Sequence, residues 1–234
     1  MAEEAGHAEN HTVSRGVLFR NLILGGQDGI VNVLGIVLGV AAATESNQMV
    51  LLASLTATIA ESISMGAVAY TSIRAQQEHY ESEVDRELEE MRTIPHMERE
   101  EIVRIYRAKG FSGRLLNQVV DKITSNKKVW LETMMQEELR LENPAMSMSP
   151  LAQSVLVGIS ALVGSLIPIA PFFFFQSAAA IPLALAASFL ALFVVGAYKS
   201  MMTSGKWLRG GIELMAIGGA AALAGYFVGT LFKA

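Results

Sequence analysis

Glutamate and methionine side chains recur at helical spacing in the polar stretch between residues 74 and 148. Four glutamates form two pairs three residues apart, and a fifth follows two methionines by about one turn, so each group projects from one helix face. Carboxylate oxygens suit Fe²⁺ and Mn²⁺, whereas thioether sulfur is a poor ligand for Mg²⁺ or Ca²⁺. The mixture favours a transition metal, but spacing alone favours the commoner alternative, a solvated face with ordinary ion pairs. The candidate metal ligands are Glu87, Glu90, Glu98, Glu101, Met134, Met135 and Glu138.

Three further candidates lie inside long apolar runs. Asp28 stands in the stretch GGQDG, and a carboxylate at membrane depth is costly unless it is paired, hydrated or protonated, so such acids often mark ion pathways. The alternative is an interfacial Asp28 that pairs with Arg20. Glu61 and Met65 lie four residues apart on one helix face, where they could serve one cation in succession. The alternative is that Met65 only packs and Glu61 faces a polar seam between helices.

Five apolar runs are long enough to cross a bilayer, which takes about 20 helical residues. The sequence therefore predicts an all-α membrane protein with five transmembrane helices and a helical cytoplasmic metal-binding insert between spans two and three. Pro168 and Pro171 are expected to break or bend the end of span three. The predicted spans are residues 17–43, 49–72, 151–175, 178–197 and 210–231. The predicted divisions are a tail at 1–16, spans one and two at 17–73, the insert at 74–149, and spans three to five at 150–234.

Charge is concentrated in the insert. Twelve of the 18 basic residues and 15 of the 22 acidic residues lie between Arg74 and Glu142, which leaves the apolar runs almost free of charge. Basic residues that flank the spans fall on one side of a five-span layout, which predicts a cytoplasmic amino terminus and insert. These residues are Arg15, Arg20, Arg74, Arg140, Lys199, Lys206 and Arg209. The amino terminus lacks the basic region of a cleavable signal, so span one is expected to be retained.

The insert is expected to be helical. Span two should continue without a break through Met91, because the polar sequence before it contains neither glycine nor proline. Pro95 suits the start of the next helix, and Ser112 is expected to cap the one after it. These and a further helix are predicted over residues 96–108, 112–123 and 128–141.

Several function classes find no support in the sequence. The absence of cysteine excludes disulfides and thiol catalysis. A net charge of −4 and the lack of a basic cluster argue against a nucleic-acid partner. Neither a P-loop nor a nucleophile–base pair is evident, so phosphoryl transfer and hydrolysis are not predicted.

From about Leu22 to its end, the chain resembles the vacuolar iron transporter family. The resemblance depends on the order and spacing of several motifs within the five-span layout, which together are far more specific than any one of them. The motifs are Gly-x-x-Asp-Gly at 25–29, Ile63-Ser64-Met65-Gly66, His79-Tyr80, Trp130-Leu131, Met134-Met135 with Glu138, Glu142-Asn143-Pro144, Ser204-Gly205-Lys206, Leu208-Arg209 and Glu213.

The resemblance implies a homodimer of five-helix subunits, with a cation path along the dimer interface that the first two spans line. It also implies that Fe²⁺, and often Mn²⁺, leaves the cytoplasm in exchange for protons. Asp28 and Met65 match the aspartate and methionine of that path, and the seven candidates in the insert match the cytoplasmic metal ligands. The family's span-two glutamate, two turns before the methionine, is Ala57 here. Glu61 is a candidate to replace it.

We therefore expect a secondary transporter rather than an enzyme, in a prokaryotic plasma membrane. Fe²⁺ is the expected cargo, with Mn²⁺, Co²⁺ and Zn²⁺ as further candidates; protons, membrane lipid and a second copy of the chain are the expected partners. A desolvated acid tends to hold a proton until metal displaces it, which is a physical basis for exchange. One alternative is a membrane-anchored carboxylate-bridged di-iron oxidase, although the insert lacks the Glu-x-x-His pairs usual for such sites. The other is a metal sensor, for which intramembrane acids would serve no purpose.

Overall fold

The computed structural model describes residues 2–143, 148–203 and 205–233, with side chains described from Gly16 onward. Pro144 and Ser204 of the family motifs, and the end of the predicted insert at 144–147, lie outside the described residues. The described elements are all helical, as predicted. They are α1 (Ala2–Ala43), α2 (Asn47–Thr93), α3 (Pro95–Ala108), α4 (Gly113–Thr124), α5 (Lys127–Thr133), a π-helical turn (Met134–Glu138), α6 (Pro150–Phe174), α7 (Ser177–Thr203) and α8 (Trp207–Leu231).

Five helices are long and apolar enough to cross a membrane, which confirms the predicted number of spans. They are α2, α6, α7, α8 and the part of α1 from Gly16 to Ala43. α2 is continuous and ends two residues beyond the predicted Met91. Pro168 and Pro171 were expected to break or bend the end of span three. The break is absent, because α6 continues through both to Phe174, and the bend stays a prediction. A proline removes its own N–H from the helix and its ring crowds a carbonyl of the preceding turn, and membrane helices tolerate this where neighbouring groups compensate.

The chain divides into two compact units, and the division falls within α2. The first, called the membrane unit below, comprises Met1–Thr71 and Ser147–Ala234. The second, called the polar unit, comprises Ser72–Met146. Each unit has its own apolar core, so each positions its own set of acids.

Glycines let α1 pack closely against α8 in the membrane unit. A Cβ atom on Gly225 would lie 2.0 Å from the carbonyl oxygen of Gly35, and one on Gly229 would lie 1.9 Å from that of Gly39. The two GxxxG segments Gly35–Gly39 and Gly225–Gly229 therefore pack against each other within one chain, as small residues in membrane helices commonly do. Any larger side chain at these positions would force the two helices apart.

The glycines around Asp28 have a similar role against α6. A Cβ atom on Gly25 would lie 2.3 Å from the carbonyl oxygen of Val157, and one on Gly29 would lie 2.2 Å from that of Ala161. The backbone of α1 is therefore held directly against α6 on both sides of Asp28. This contact determines the position of the carboxylate in the membrane unit.

The polar unit is built around a small apolar core. α4 places an apolar residue inward at i, i+4 and i+7, which is the pattern of an amphipathic helix. The core holds α3, which carries two of the candidate glutamates, together with α4 and the π-helical turn. Its buried members are Ile102, Leu116, Val120, Ile123 and Met134.

Helix ends in the polar unit follow the sequence signals in part. Pro95 occupies the first turn of α3, as predicted. Ser112 precedes α4, but its side chain forms no capping hydrogen bond. Asn126 caps α5 by accepting two backbone N–H groups of the first turn. The helix predicted over 128–141 changes at Met134 into the π-helical turn.

Candidate metal centre

Three glutamates of the polar unit converge. Glu87 and Glu90 lie near the end of α2, Glu98 lies in the first turn of α3, and one carboxylate oxygen from each lies within 4.8 Å of the other two. The short connection at Ile94, whose backbone N–H bonds to the carbonyl of Glu90 at 2.8 Å, turns the chain between the helices. Divalent ions hold carboxylate oxygens at about 2.0–2.6 Å. Small side-chain movements would therefore let one ion contact all three residues.

Two acids of this cluster are buried, and each has one carboxylate oxygen that lacks a hydrogen-bond donor in the described part of the chain. Glu87 is 1% exposed and Glu98 is 3% exposed, and the Oε2 atom of each accepts no hydrogen bond from the described residues. The Arg86 guanidinium lies 3.4 Å from Glu87 and 3.9 Å from Glu90, but it is itself half exposed. Buried polar atoms without a partner are rare and costly. A cation at the cluster would supply the missing interaction.

The protonation of Glu98 responds to the same surroundings. Burial, followed by the neighbouring carboxylates of Glu101, Glu87 and Glu90, raises the pKa of Glu98 from 4.5 to about 7. Near neutral pH the free cluster therefore holds a proton for much of the time. A metal-ligating carboxylate must be ionised, so metal binding would displace that proton.

The π-helical turn positions the remaining candidates. Glu138 lies beside Glu101, and partial burial together with that carboxylate raises the pKa of Glu138 to about 7. Met134 and Met135 are both buried, and Met134 belongs to the apolar core of the polar unit. A π-helical turn is frequently found at functional sites because the extra residue redirects the side chains. The structure thus brings Glu138 to the glutamate cluster and gives Met134 a packing role.

A second group of polar side chains meets in the membrane unit. The Nδ2 atom of Asn32 donates to Oε1 of Glu61 at 2.8 Å, and the carboxyl of Asp28 lies beside that of Glu61. No ion pair joins Asp28 to Arg20 in the described part of the chain. Met65 is half-buried and follows Glu61 by one turn. The group is therefore acidic, and its hydrogen-bond donor is a neutral amide.

Two residues of these sites, Asn32 and Arg86, had no role predicted from the sequence. Asn32 follows Asp28 by four residues in an apolar run, and this spacing on one helix face was the available signal. Arg86 precedes Glu87 directly and resembled the other arginines interleaved with the acids. Only its ion pairs with Glu83, Glu87 and Glu90 distinguish it.

Comparison with known proteins identifies the family. The sequence profile of the VIT family matches residues 19–230. The chain belongs to the VIT family. It is 31% identical over 221 residues to vacuolar iron transporter 1 of Tulipa gesneriana, covering 94% of this chain and 89% of that protein. It is 30% identical to vacuolar iron transporter 1 of Arabidopsis thaliana, with 94% and 88% covered. The vacuolar iron transporter of Toxoplasma gondii is 30% identical, with 97% and 78% covered.

Membership confirms the resemblance that the motifs indicated. The matched region contains all three candidate pathway residues, the glutamate cluster and all but the outermost residues of the five long apolar helices. Ala57, where the resemblance led us to expect an acid, is half-buried on α2. In this chain the α2 acid next to Asp28 is Glu61.

Proposed function

We propose that this VIT-family protein carries Fe²⁺ out of the cytoplasm in exchange for protons, with Mn²⁺ as a second cargo and Co²⁺ and Zn²⁺ as further candidates. The observation that carries the proposal is the pair of adjacent acids, Asp28 and Glu61, within helices long enough to span a membrane. Relatives named vacuolar iron transporters support iron as the cargo. The protein acts as a secondary transporter and not as an enzyme.

Exchange follows from the charges of the intramembrane pair. Two neighbouring carboxylates in surroundings of low dielectric constant cannot both stay charged unless a cation or protons neutralise them. A divalent ion and protons are therefore alternative occupants of Asp28 and Glu61. Asn32 holds the Glu61 carboxylate in place, and the Met65 sulfur one turn away favours Fe²⁺ over Mg²⁺.

The polar unit gathers metal on the cytoplasmic side in this proposal. Its carboxylates attract a hydrated cation, and the raised pKa values of Glu98 and Glu138 near 7 allow binding and release within the physiological pH range. Met135 is the thioether best suited to contribute, since Met134 packs in the core. The proposed ligands are Glu87, Glu90, Glu98, Glu101, Met135 and Glu138.

A second copy of the chain completes the proposed path. Asn32 is exposed on the membrane unit, although it bonds to Glu61 at apolar depth. It lies at an apolar groove of about 850 Å³ lined by α1, α2 and α8. Polar groups that face lipid are costly. We therefore propose a homodimer that covers this face, in a prokaryotic plasma membrane with the polar unit in the cytoplasm.

The test is metal flux into liposomes that contain the purified protein and a trapped metal indicator. Fe²⁺ flux should follow an imposed pH gradient, and Asp28→Asn should abolish it while metal binding by the polar unit persists. Glu45→Gln, which changes an exposed acid between α1 and α2, should behave as the unmodified chain. Loss of binding together with flux in Asp28→Asn would contradict the proposed division of roles.

Binding without flux in either gradient direction, with protein orientation checked, would reject the transporter. Consumption of O₂ on addition of Fe²⁺ would then separate a di-iron oxidase from a sensor. The acids that approach one another in the described part of the polar unit are all glutamates. An oxidase site there would therefore be built from carboxylates alone.

A further inference from the structure

Three hydroxyl side chains of α2 are buried without a partner. Ser54 is 0% exposed, Thr58 is 2% exposed and Ser62 is 8% exposed, and the hydroxyl oxygen of each forms no hydrogen bond with the described residues. They recur every fourth residue, so they follow one another along one side of the helix. Their burial places them inside the membrane unit and away from its lipid-facing surface.

Several other hydroxyl groups in the membrane helices behave differently. Ser160 and Ser165 on α6 and Thr71 on α2 each donate to the backbone carbonyl four residues earlier, at 2.7 to 3.0 Å. This local bond satisfies the hydroxyl at little cost. Ser54 and Thr58 do not form this local bond, so their hydroxyl oxygen atoms remain available to contact a cation.

The same side of α2 carries the intramembrane acid. Glu61 follows Thr58 by three residues and Ser54 by seven, which places all three on one helix face. The Oε2 atom of Glu61 is also buried and accepts no hydrogen bond from an amide, hydroxyl or basic group of the described residues. Along the helix axis, Ser54 lies about 10 Å from Glu61 toward the Asn47 end of α2. Free oxygen atoms therefore continue from the carboxylate in that direction.

We propose that Thr58 and Ser54 are oxygen ligands for the transported cation on the segment of its path between Glu61 and the Asn47 end of α2. This rests on the proposed transport function and extends it to residues outside the acid pair. Neutral hydroxyl oxygens bind a cation more weakly than carboxylates do. They replace part of its hydration and still release it, which is what conduction requires. Ser62, on the other side of Glu61, is not included in this segment.

The chemistry of a hydroxyl ligand predicts which property of metal transport should change when that hydroxyl is removed. Hydroxyl oxygens bind Fe²⁺ and Mn²⁺ in a similar way, so they contribute to rate and little to selectivity. Removing one should lower the flux of both metals by a similar factor. Substitution of the softer Met65 ligand by leucine should instead change the ratio of the two fluxes.

The experiment compares Thr58→Val with Thr56→Val in liposomes, with Fe²⁺ and Mn²⁺ as the metals. Valine has nearly the shape of threonine without the hydroxyl, and Thr56 is an exposed threonine on the same helix. We expect Thr58→Val to lower both fluxes by about tenfold or more, as loss of a metal-site contact commonly does. Its melting temperature should be unchanged or higher, because a buried hydroxyl without a partner is removed. Thr56→Val should change neither property.

Two further variants separate the hydroxyl from its surroundings. Thr58→Ser keeps the oxygen and should keep most of the flux, whereas Ser54→Ala should lower it. Wild-type flux in Thr58→Val with unchanged melting would overturn the proposal, and so would an equal loss in Thr58→Ser. If the unmodified protein binds Fe²⁺ without transporting it, the proposed function itself fails. That outcome differs from failure of the hydroxyl proposal, because it is measured on the unmodified protein and does not depend on any hydroxyl variant.

Discussion

The two groups of acids in this molecule differ in what neutralises them. In the polar unit, the guanidinium of Arg86 lies among the glutamates, 3.4 Å from Glu87. In the membrane unit, Glu61 accepts a hydrogen bond from the neutral amide of Asn32. No lysine or arginine of the described chain forms an ion pair with Asp28 or Glu61.

This difference separates two ways of handling a cation. The positive charge of Arg86 stabilises the ionised glutamates of the polar cluster when no metal is present. It therefore makes the free energy of metal binding less favourable. The membrane pair has only mobile charges, protons or metal, to neutralise it. Exchange is therefore expected to be obligatory at Asp28 and Glu61, whereas binding at the polar cluster is expected to be reversible and adjustable.

The largest effect should come from removing an acid from the membrane pair. We expect Glu61→Gln to lower Fe²⁺ flux by about 100-fold, since it removes a carboxylate that we propose as a direct ligand and one of the two charges. The measurement is flux into liposomes under an imposed pH gradient. Moving the acid one turn, in the double variant Ala57→Glu with Glu61→Ala, should restore part of the flux. Wild-type flux in Glu61→Gln would show that the pair is not the exchange site.

A smaller effect is expected in the polar cluster. Glu98→Gln should weaken metal binding by about 10- to 100-fold, because it removes a buried carboxylate that we propose as a ligand. Binding is measured with Mn²⁺ on the full chain carrying Asp28→Asn, so that the membrane pair contributes little. Glu100→Gln is the matched control, since Glu100 is exposed on the same helix. Equal losses in both variants would indicate a general charge effect instead of a site.

The stability of the metal-free protein and Mn²⁺ binding by the polar cluster should both depend on pH. The pKa values of Glu98 and Glu138 are raised to about 7 from 4.5, so their contribution to stability is present below pH 4.5 and lost as pH rises through 7. Metal-free protein should therefore melt at a higher temperature at pH 6 than at pH 8. Mn²⁺ binding should show the opposite trend and weaken about tenfold per pH unit below 7 for each proton displaced.

Melting curves and binding isotherms at both pH values check this prediction. Glu98→Gln should flatten both dependences, because glutamine does not titrate. Metal-free stability that rises from pH 6 to pH 8 would contradict the raised pKa values. A binding constant independent of pH would show that metal and protons do not compete at these carboxylates.

The smallest effect should come from removing the positive charge of Arg86. Arg86→Gln should strengthen Mn²⁺ binding by the polar cluster about two- to fivefold, because half-exposed ion pairs are worth little and compete with the metal only weakly. It should also lower metal-free stability slightly. Arg92→Gln, which changes an exposed arginine paired with Glu89, should leave binding unchanged. Weaker binding in Arg86→Gln would mean that the arginine organises the ligands.

The membrane architecture could be predicted from the sequence because its signals are local. Hydrocarbon requires about 20 apolar helical residues per span, and the chain meets that requirement five times. The unbroken course of α2 through Met91 followed from the lack of glycine and proline there. The i,i+3 spacing also predicted that Glu87 and Glu90 share a face. These properties depend on residues close together in the chain.

Other properties depend on contacts between distant segments. Packing of α3 against the core brings Glu98 to Glu87 and Glu90, and Met134, where the π-helical turn begins, belongs to the same core. The bond from Asn32 to Glu61 joins residues 29 positions apart. Burial without a partner distinguishes Thr58 from the exposed Thr56 only when α2 is packed in the membrane unit. The sequence by itself determined the spans and the supply of acids, whereas tertiary packing decided which oxygen atoms meet and which remain free.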